Sequence, residues 1–161
     1  NQNLPNLYAM NEKQNVTLLS DISDIDIGTI VNSHYVWFDP ANSPASSIQG
    51  FVKFSGQILA VLTTTNALSS SDSIFKRAGV DYLNPSARGL ESNDSISFAG
   101  DTLTVNFTAT SPGDYVRVLT MASPVPEPST WMMLILGFGL VGAALRADKL
   151  RQRTRVAVSY S

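Results

Sequence analysis

The sequence predicts an all-β fold, an antiparallel β-sandwich of about seven to eight strands, followed by a single C-terminal transmembrane helix. Three observations lead there. From Val16 to Thr120 the chain runs in short stretches rich in Val, Ile, Phe, Tyr and Thr, broken by Gly, Pro, Asn, Asp and Ser. No segment before Ser129 has a convincing helical repeat of apolar residues. After Thr130 come fifteen uncharged residues, Trp131 to Leu145, and then a run of bases.

Residues 1–15 read as an N-terminal segment. A signal peptide is expected to have been removed or left out ahead of Asn1, since no charged stretch followed by an apolar run opens the chain. The ectodomain follows over residues 16–120, with strand candidates at Val16 to Leu19 and Gly28 to Phe38. Two β-rich arms, Phe51 to Phe54 and Gln57 to Thr64, flank Ser55-Gly56, the pattern of a hairpin with a two-residue turn. A second hairpin is predicted from Ser95 to Phe98, through Gly100-Asp101, to Thr102 to Thr110. In its second arm Leu103, Val105, Phe107 and Ala109 alternate with Thr104, Asn106 and Thr108, which marks one buried and one wet face.

The stretch Ser71 to Arg77 has room for one helical turn. Asn84 to Arg88 reads as a loop, because Pro85 removes a donor and biases the residue before it to extended backbone. Tyr115 to Thr120 supplies the last strand. Strand number and spacing suit a sandwich, with a barrel as the alternative closure.

Residues 121–130, Met-Ala-Ser-Pro-Val-Pro-Glu-Pro-Ser-Thr, hold prolines at alternate positions and predict an extended spacer. Residues 131–145 then predict a membrane span. As a helix they cover roughly 22 Å at about 1.5 Å per residue, short of a hydrocarbon core of about 30 Å. Trp131 at the outer boundary suits a headgroup layer, and Arg146 and Lys149 can snorkel to lengthen the effective span. Residues 146–161 are basic, which by the positive-inside rule leaves the C-terminus in the cytoplasm and the body outside. Gly137, Gly139 and Gly142 spell the dinucleotide-binding pattern, but they lie inside the apolar run with no preceding strand. In a membrane helix Gly139 and Ala143 instead form a small-residue pair.

Charge is divided between the parts. Residues 1–128 carry twelve acids and six bases, a net of −6, whereas residues 129–161 carry one acid and five bases, a net of +4. An acidic body excludes nucleic acid as partner, since affinity for phosphates comes from bases. The absence of cysteine excludes disulfides, thiolate metal sites and a cysteine nucleophile.

Val125-Pro126-Glu127-Pro128-Ser129-Thr130-Trp131, a short glycine-containing apolar run, and then Arg146 with further bases resemble the PEP-CTERM sorting signal of Gram-negative bacteria that make exopolysaccharide. The resemblance implies that an exosortase, a membrane-embedded cysteine protease, recognises Pro126, Glu127 and Pro128, cuts near them, and releases or transfers the body. The precursor is then anchored in the inner membrane, and the product goes to the cell surface or beyond. A proline-locked segment is pre-ordered for a protease groove, and Glu127 offers one charge to read. Pieces of the body also resemble ectodomains found ahead of that signal, a family without an assigned activity. They are His34 to Pro40, Val52 to Val61, Arg88 to Glu91 and Ser111 to Val118.

Within the body few residues suggest chemistry. His34 is the only histidine and no Gly-x-Ser-x-Gly elbow exists, so no catalytic residue is assigned and the chain is expected not to be an enzyme and to need no cofactor. Multi-histidine metal sites are excluded. Asp21, Asp24 and Asp26 ahead of Gly28 form a weak calcium candidate, and their alternation with Ile22, Ile25 and Ile27 fits an edge strand equally well. Arg88 with Glu91, and Asp114 with Arg117, suggest structural ion pairs or the lining of a sugar site. Tyr35, Trp37, Tyr82 and Tyr115 suit either a core or a stacking platform for sugar rings, beside acids such as Asp39 or Glu91. The expected role is structural or interactive, linked to exopolysaccharide and biofilm, with a carbohydrate-binding module as the alternative.

Overall fold

Side-chain alternation decides the layers of this protein. In a computed structural model, which describes residues 4–41, 44–82, 84–122, 131–142 and 145–146, the chain divides into two units, 1–123 and 124–161. The first contains strands β1 (Leu4–Asn11), β2 (Val16–Thr17), β3 (Ile30–Asp39), β4 (Ser46–Lys53) and β5 (Ile58–Leu62), then helix α1 (Thr65–Phe75). Strands β6 (Ser95–Ala99), β7 (Thr102–Ala109) and β8 (Asp114–Met121) complete it. One antiparallel sheet has the order β1-β3-β8-β5 with β2 added to β3, and the other has the order β4-β7-β6. The expected two-sheet, eight-strand body is present.

On β3, Val36 and Phe38 face the second sheet. They meet Leu103, Val105, Phe107 and Ala109 of β7 and Val116 and Val118 of β8 in one apolar cluster. The alternate residues face the other way, where Leu119 packs with Phe75, and Tyr35 and Tyr115 pack with Leu68. Helix α1 therefore forms a third layer on the outer face of the larger sheet. With both faces covered, β8 is buried along its whole length except Met121.

The hairpin β6–β7 forms as expected, with Ala99 opposite Thr102 and Gly100 at φ 59° in the first turn position, where a type II′ turn places glycine. The hairpin expected about Ser55-Gly56 does not form. β4 pairs with β7 and β5 pairs with β8, so residues 54–57 carry the chain from one sheet to the other. At that crossing a side chain on Gly56 would overlap the Met121 carbonyl oxygen. Met121 N–H donates to the Gln57 carbonyl at 2.8 Å there. Strand β1 also departs from expectation, since it occupies the segment that sequence patterning leaves without an element.

Helix α1 is longer than the single turn expected at Ser71 to Arg77, and it starts earlier. Thr64 caps it by accepting from Ala67 N–H at 3.2 Å. Its buried residues Leu68, Ser71 and Phe75 have helical spacing. A serine in the middle of the stripe hides the apolar period: the Ser71 hydroxyl donates to the Ala67 carbonyl at 2.6 Å and is met by Arg117 at 2.6 Å.

In the second unit, residues 131–142 and 145–146 are helical, and every described side chain is exposed, including Trp131, Leu134, Phe138 and Leu145. Gly137, Gly139 and Gly142 lie within this helix, not on a strand–turn–helix junction. The expected transmembrane helix is corrected in one respect: among the described residues no helix is long and apolar enough to cross a membrane. The helix at 131–142 spans about 18 Å at about 1.5 Å per residue, against a core of about 30 Å. Pro126, Glu127, Pro128 and Lys149 lie outside the described residues.

Candidate functional site: an aromatic cleft over a buried charge network, and a sorting signal

The face of the larger sheet that carries α1 also holds a cleft of about 110 Å³, lined by Met10 of β1, Tyr35, Trp37 and Asp39 of β3, Val80, Asp81 and Tyr82, and Tyr115 of β8. The period of two explains its composition: Tyr35, Trp37 and Asp39 are alternate residues of one strand, and Tyr115 lies opposite Trp37 on the next. Residues 80–82, beyond the end of α1, form the other wall. All four aromatics singled out in the sequence thus meet in one place, together with Asp39. Glu91, the other acid expected beside them, is not part of it.

The rings pack against one another. Tyr35 meets Tyr82 edge-on at 4.9 Å between centroids and lies 5.8 Å from Tyr115, while Tyr8 stacks on Trp37 at 5.7 Å. Trp37 and Tyr82 remain half-buried, whereas Tyr35 and Tyr115 are buried. Lys76 lies over the Tyr82 ring with its ammonium 5.3 Å from the centroid. Burial, reinforced by the charge of Asp39, pushes the Tyr115 hydroxyl up to about 12. Burial likewise raises Tyr35 and Tyr82, so all three hydroxyls stay protonated at neutral pH and can donate.

Behind the rings lies a charge network. Arg117 on β8 donates from Nε to Glu12 Oε2 at 2.7 Å and from Nη2 to Oε1 at 2.8 Å, a fork-on-fork pair with both side chains fully buried. Its Nη2 also reaches Asp72 Oδ1 at 2.9 Å, and Nη1 donates to the Leu68 carbonyl at 2.9 Å. Arg88 donates to Asp72 Oδ2 at 2.7 Å and to the Tyr35 hydroxyl at 3.4 Å. The Tyr82 hydroxyl donates to Glu12 Oε1 at 2.6 Å, and the Ser33 hydroxyl to Oε2 at 2.6 Å.

Two cations face two anions, so this layer is neutral as a whole. Burial alone would raise the Asp72 carboxyl, but hydrogen bonds from Arg88 and Arg117 outweigh it and hold it below the ordinary carboxylate range. The expected partners of the two arginines are thereby corrected: Arg88 pairs with Asp72 instead of Glu91, and Arg117 pairs with Glu12 and Asp72 instead of Asp114. Sequence reasoning missed Glu12 and Asp72, which lie in local contexts typical of surface residues.

His34 is a buried strand residue as expected. Its Nδ1 is 2.7 Å from Asn11 Oδ1 and its Nε2 3.1 Å from Thr120 Oγ1, with the Phe54 ring tilted against it at 4.7 Å. Asp21, Asp24 and Asp26 are not gathered into a ligand set. Asp21 Oδ1 instead accepts from Ile27 N–H at 2.8 Å across a tight loop closed by Ile22 and Ile25. Among the described residues the three carboxylates that do converge are Glu91, Asp94 and Asp114.

At the other end of the chain, residues 124–151 match the family model of the PEP-CTERM protein-sorting motif. The chain carries a PEP-CTERM sorting signal. The matched span contains Pro126, Glu127, Pro128, Trp131, Arg146 and Lys149. A PEP-CTERM signal implies an exported protein, made as a membrane-anchored precursor and processed by an exosortase. No curated protein and no solved structure matches the chain.

Proposed function

We propose that the mature protein is a non-enzymatic component of the cell surface or extracellular matrix in a Gram-negative, exopolysaccharide-producing bacterium, with a structural or interaction role in biofilm. The PEP-CTERM signal at residues 124–151 carries this reading. In the precursor the apolar run after Trp131 lies in the inner membrane, lengthened by snorkelling of Arg146 and Lys149, and the basic end stays in the cytoplasm. The all-round apolar exposure of the helix at 131–142 supports an apolar environment for it. The test compares the intact mass of the protein from cells with and without the exosortase. Loss of the C-terminal segment only in the exosortase-positive strain is expected, and an intact C-terminus in both strains overturns the reading.

A second reading has its own observation. The cleft of Tyr35, Trp37, Tyr82 and Tyr115 with Asp39 and Asp81 sets the half-buried rings of Trp37 and Tyr82 beside acids, the chemistry that stacks on a sugar ring and accepts from its hydroxyls. Its volume of about 110 Å³ suits one small ring at the surface of a polymer rather than a fully enclosed ligand. On this reading the body binds the cell's own polysaccharide. Binding to the purified polysaccharide should disappear in Trp37→Ala. Equal binding by wild type and variant sinks the idea.

A further inference from the structure

Glu91, Asp94 and Asp114 each offer a carboxylate oxygen, and these oxygens all lie within 4.8 Å of one another. The group lies outside the aromatic cleft, the charge network and the sorting signal. Its members are fixed by backbone. Glu91 and Asp94 close a turn in which Glu91 N–H donates to Asp94 Oδ2 at 2.7 Å. Asp94 N–H in turn donates to the Glu91 carbonyl at 3.2 Å. The other oxygen of Asp94 accepts from Thr108 N–H at 2.8 Å, which pins the turn to β7. Asp114 opens β8 opposite Phe38. None of the ion pairs among the described residues includes any of the three.

Acidic neighbours alone would signify little, but Asp114 adds an independent observation. It is only 3% exposed, its carboxylate faces those of Glu91 and Asp94, and its Oδ2 has no hydrogen-bond partner among the described residues. A buried carboxylate oxygen without a donor is costly, and buried charges are ordinarily paired or bound to a metal. We propose that Glu91, Asp94 and Asp114 form a divalent-cation site that takes calcium. Oxygens bound to one calcium at 2.3–2.6 Å lie up to about 5 Å apart, which matches their spacing. Three carboxylates on one ion suit calcium, whereas magnesium keeps most of its waters and takes one or two. Asp94 is pre-oriented by its two backbone donors and retains a lone pair on each oxygen.

The test uses the full chain in detergent micelles, stripped with a chelator and titrated with calcium chloride by calorimetry and thermal unfolding. One equivalent of calcium should bind and raise the melting temperature, and magnesium should bind on the order of tenfold more weakly. Asp114→Asn keeps the shape but removes a buried charge. It should melt no lower than the stripped wild type and lose the calcium response. Glu91→Gln, at an exposed position, should fold normally and weaken calcium binding on the order of tenfold. No calcium response at millimolar concentration, an equal response to magnesium, or an unchanged calcium affinity in Glu91→Gln each overturns the proposal.

Discussion

Arg117 and Glu12 stand 105 positions apart in the chain, yet they form a fork-on-fork ion pair with neither side chain exposed. The pair ties β8, in the middle of the larger sheet, to the end of β1 at its edge. Asp72 of α1 joins the same guanidinium, so strand, edge and helix are fastened at one point. Removing one partner strands a charge in a dry site.

Arg117→Met should therefore destabilise the body by about 3–5 kcal/mol, because the buried Glu12 loses its main partner. The double variant Arg117→Met with Glu12→Leu should recover at least half of that loss, since two apolar chains leave no orphaned charge. Urea unfolding of the three proteins decides the matter. A double variant as unstable as the single one would mean that packing, not charge, sets the cost.

His34 gives a pH dependence with a defined sign. Burial lowers its pKa below 6.5, and the charge of Glu12 offsets only part of that. The unfolded chain then binds a proton more readily than the folded one, so stability is fully present above pH 6.5 and falls as pH drops through 6.5. His34→Gln should flatten that part of the stability–pH curve. The groups facing His34 are Asn11, Thr120 and Phe54, none of which titrates there.

Gly113 sits where β8 starts beside the end of β3. A Cβ at this position would overlap the Phe38 carbonyl oxygen and crowd Asp39 Cα at 2.5 Å. Gly113→Ala should cost about 1–3 kcal/mol, in the range of overpacked sites, and lower the thermal midpoint. Gly100→Ala, with nothing within 4 Å of the added carbon, should pay only for its positive φ, on the order of 1 kcal/mol.

Glu127→Ala should block removal of the C-terminal segment in exosortase-positive cells, with the thermal midpoint of the body unchanged. Normal processing of that variant would count against recognition of Glu127.

Strand β7 was legible because its alternation is local: each buried residue is two positions from the next. Helix α1 was not, since Ser71 occupies an apolar-stripe position and finds its partner, Arg117, in a distant strand. The two arms about Ser55-Gly56 look like a hairpin from composition alone. What separates them is that β7 and β8, both later in the chain, each claim one arm. The aromatics of the cleft were visible one by one, and so were Arg88 and Arg117. Their neighbours were not, because ion-pair partners and cleft walls are set by tertiary distance. The sorting signal lies at the other extreme, with its residues contiguous in sequence.

The chain leaves the body from the end of β8, so a strand bonded on both sides, to β3 and to β5, is the one that continues toward the sorting signal. Tension applied through the tail, with the body held elsewhere, would run along β8. Its hydrogen bonds lie across that direction and must shear together rather than unzip one at a time. Pulled from that end, β8 would leave the sheet only by breaking its bonds to both neighbours.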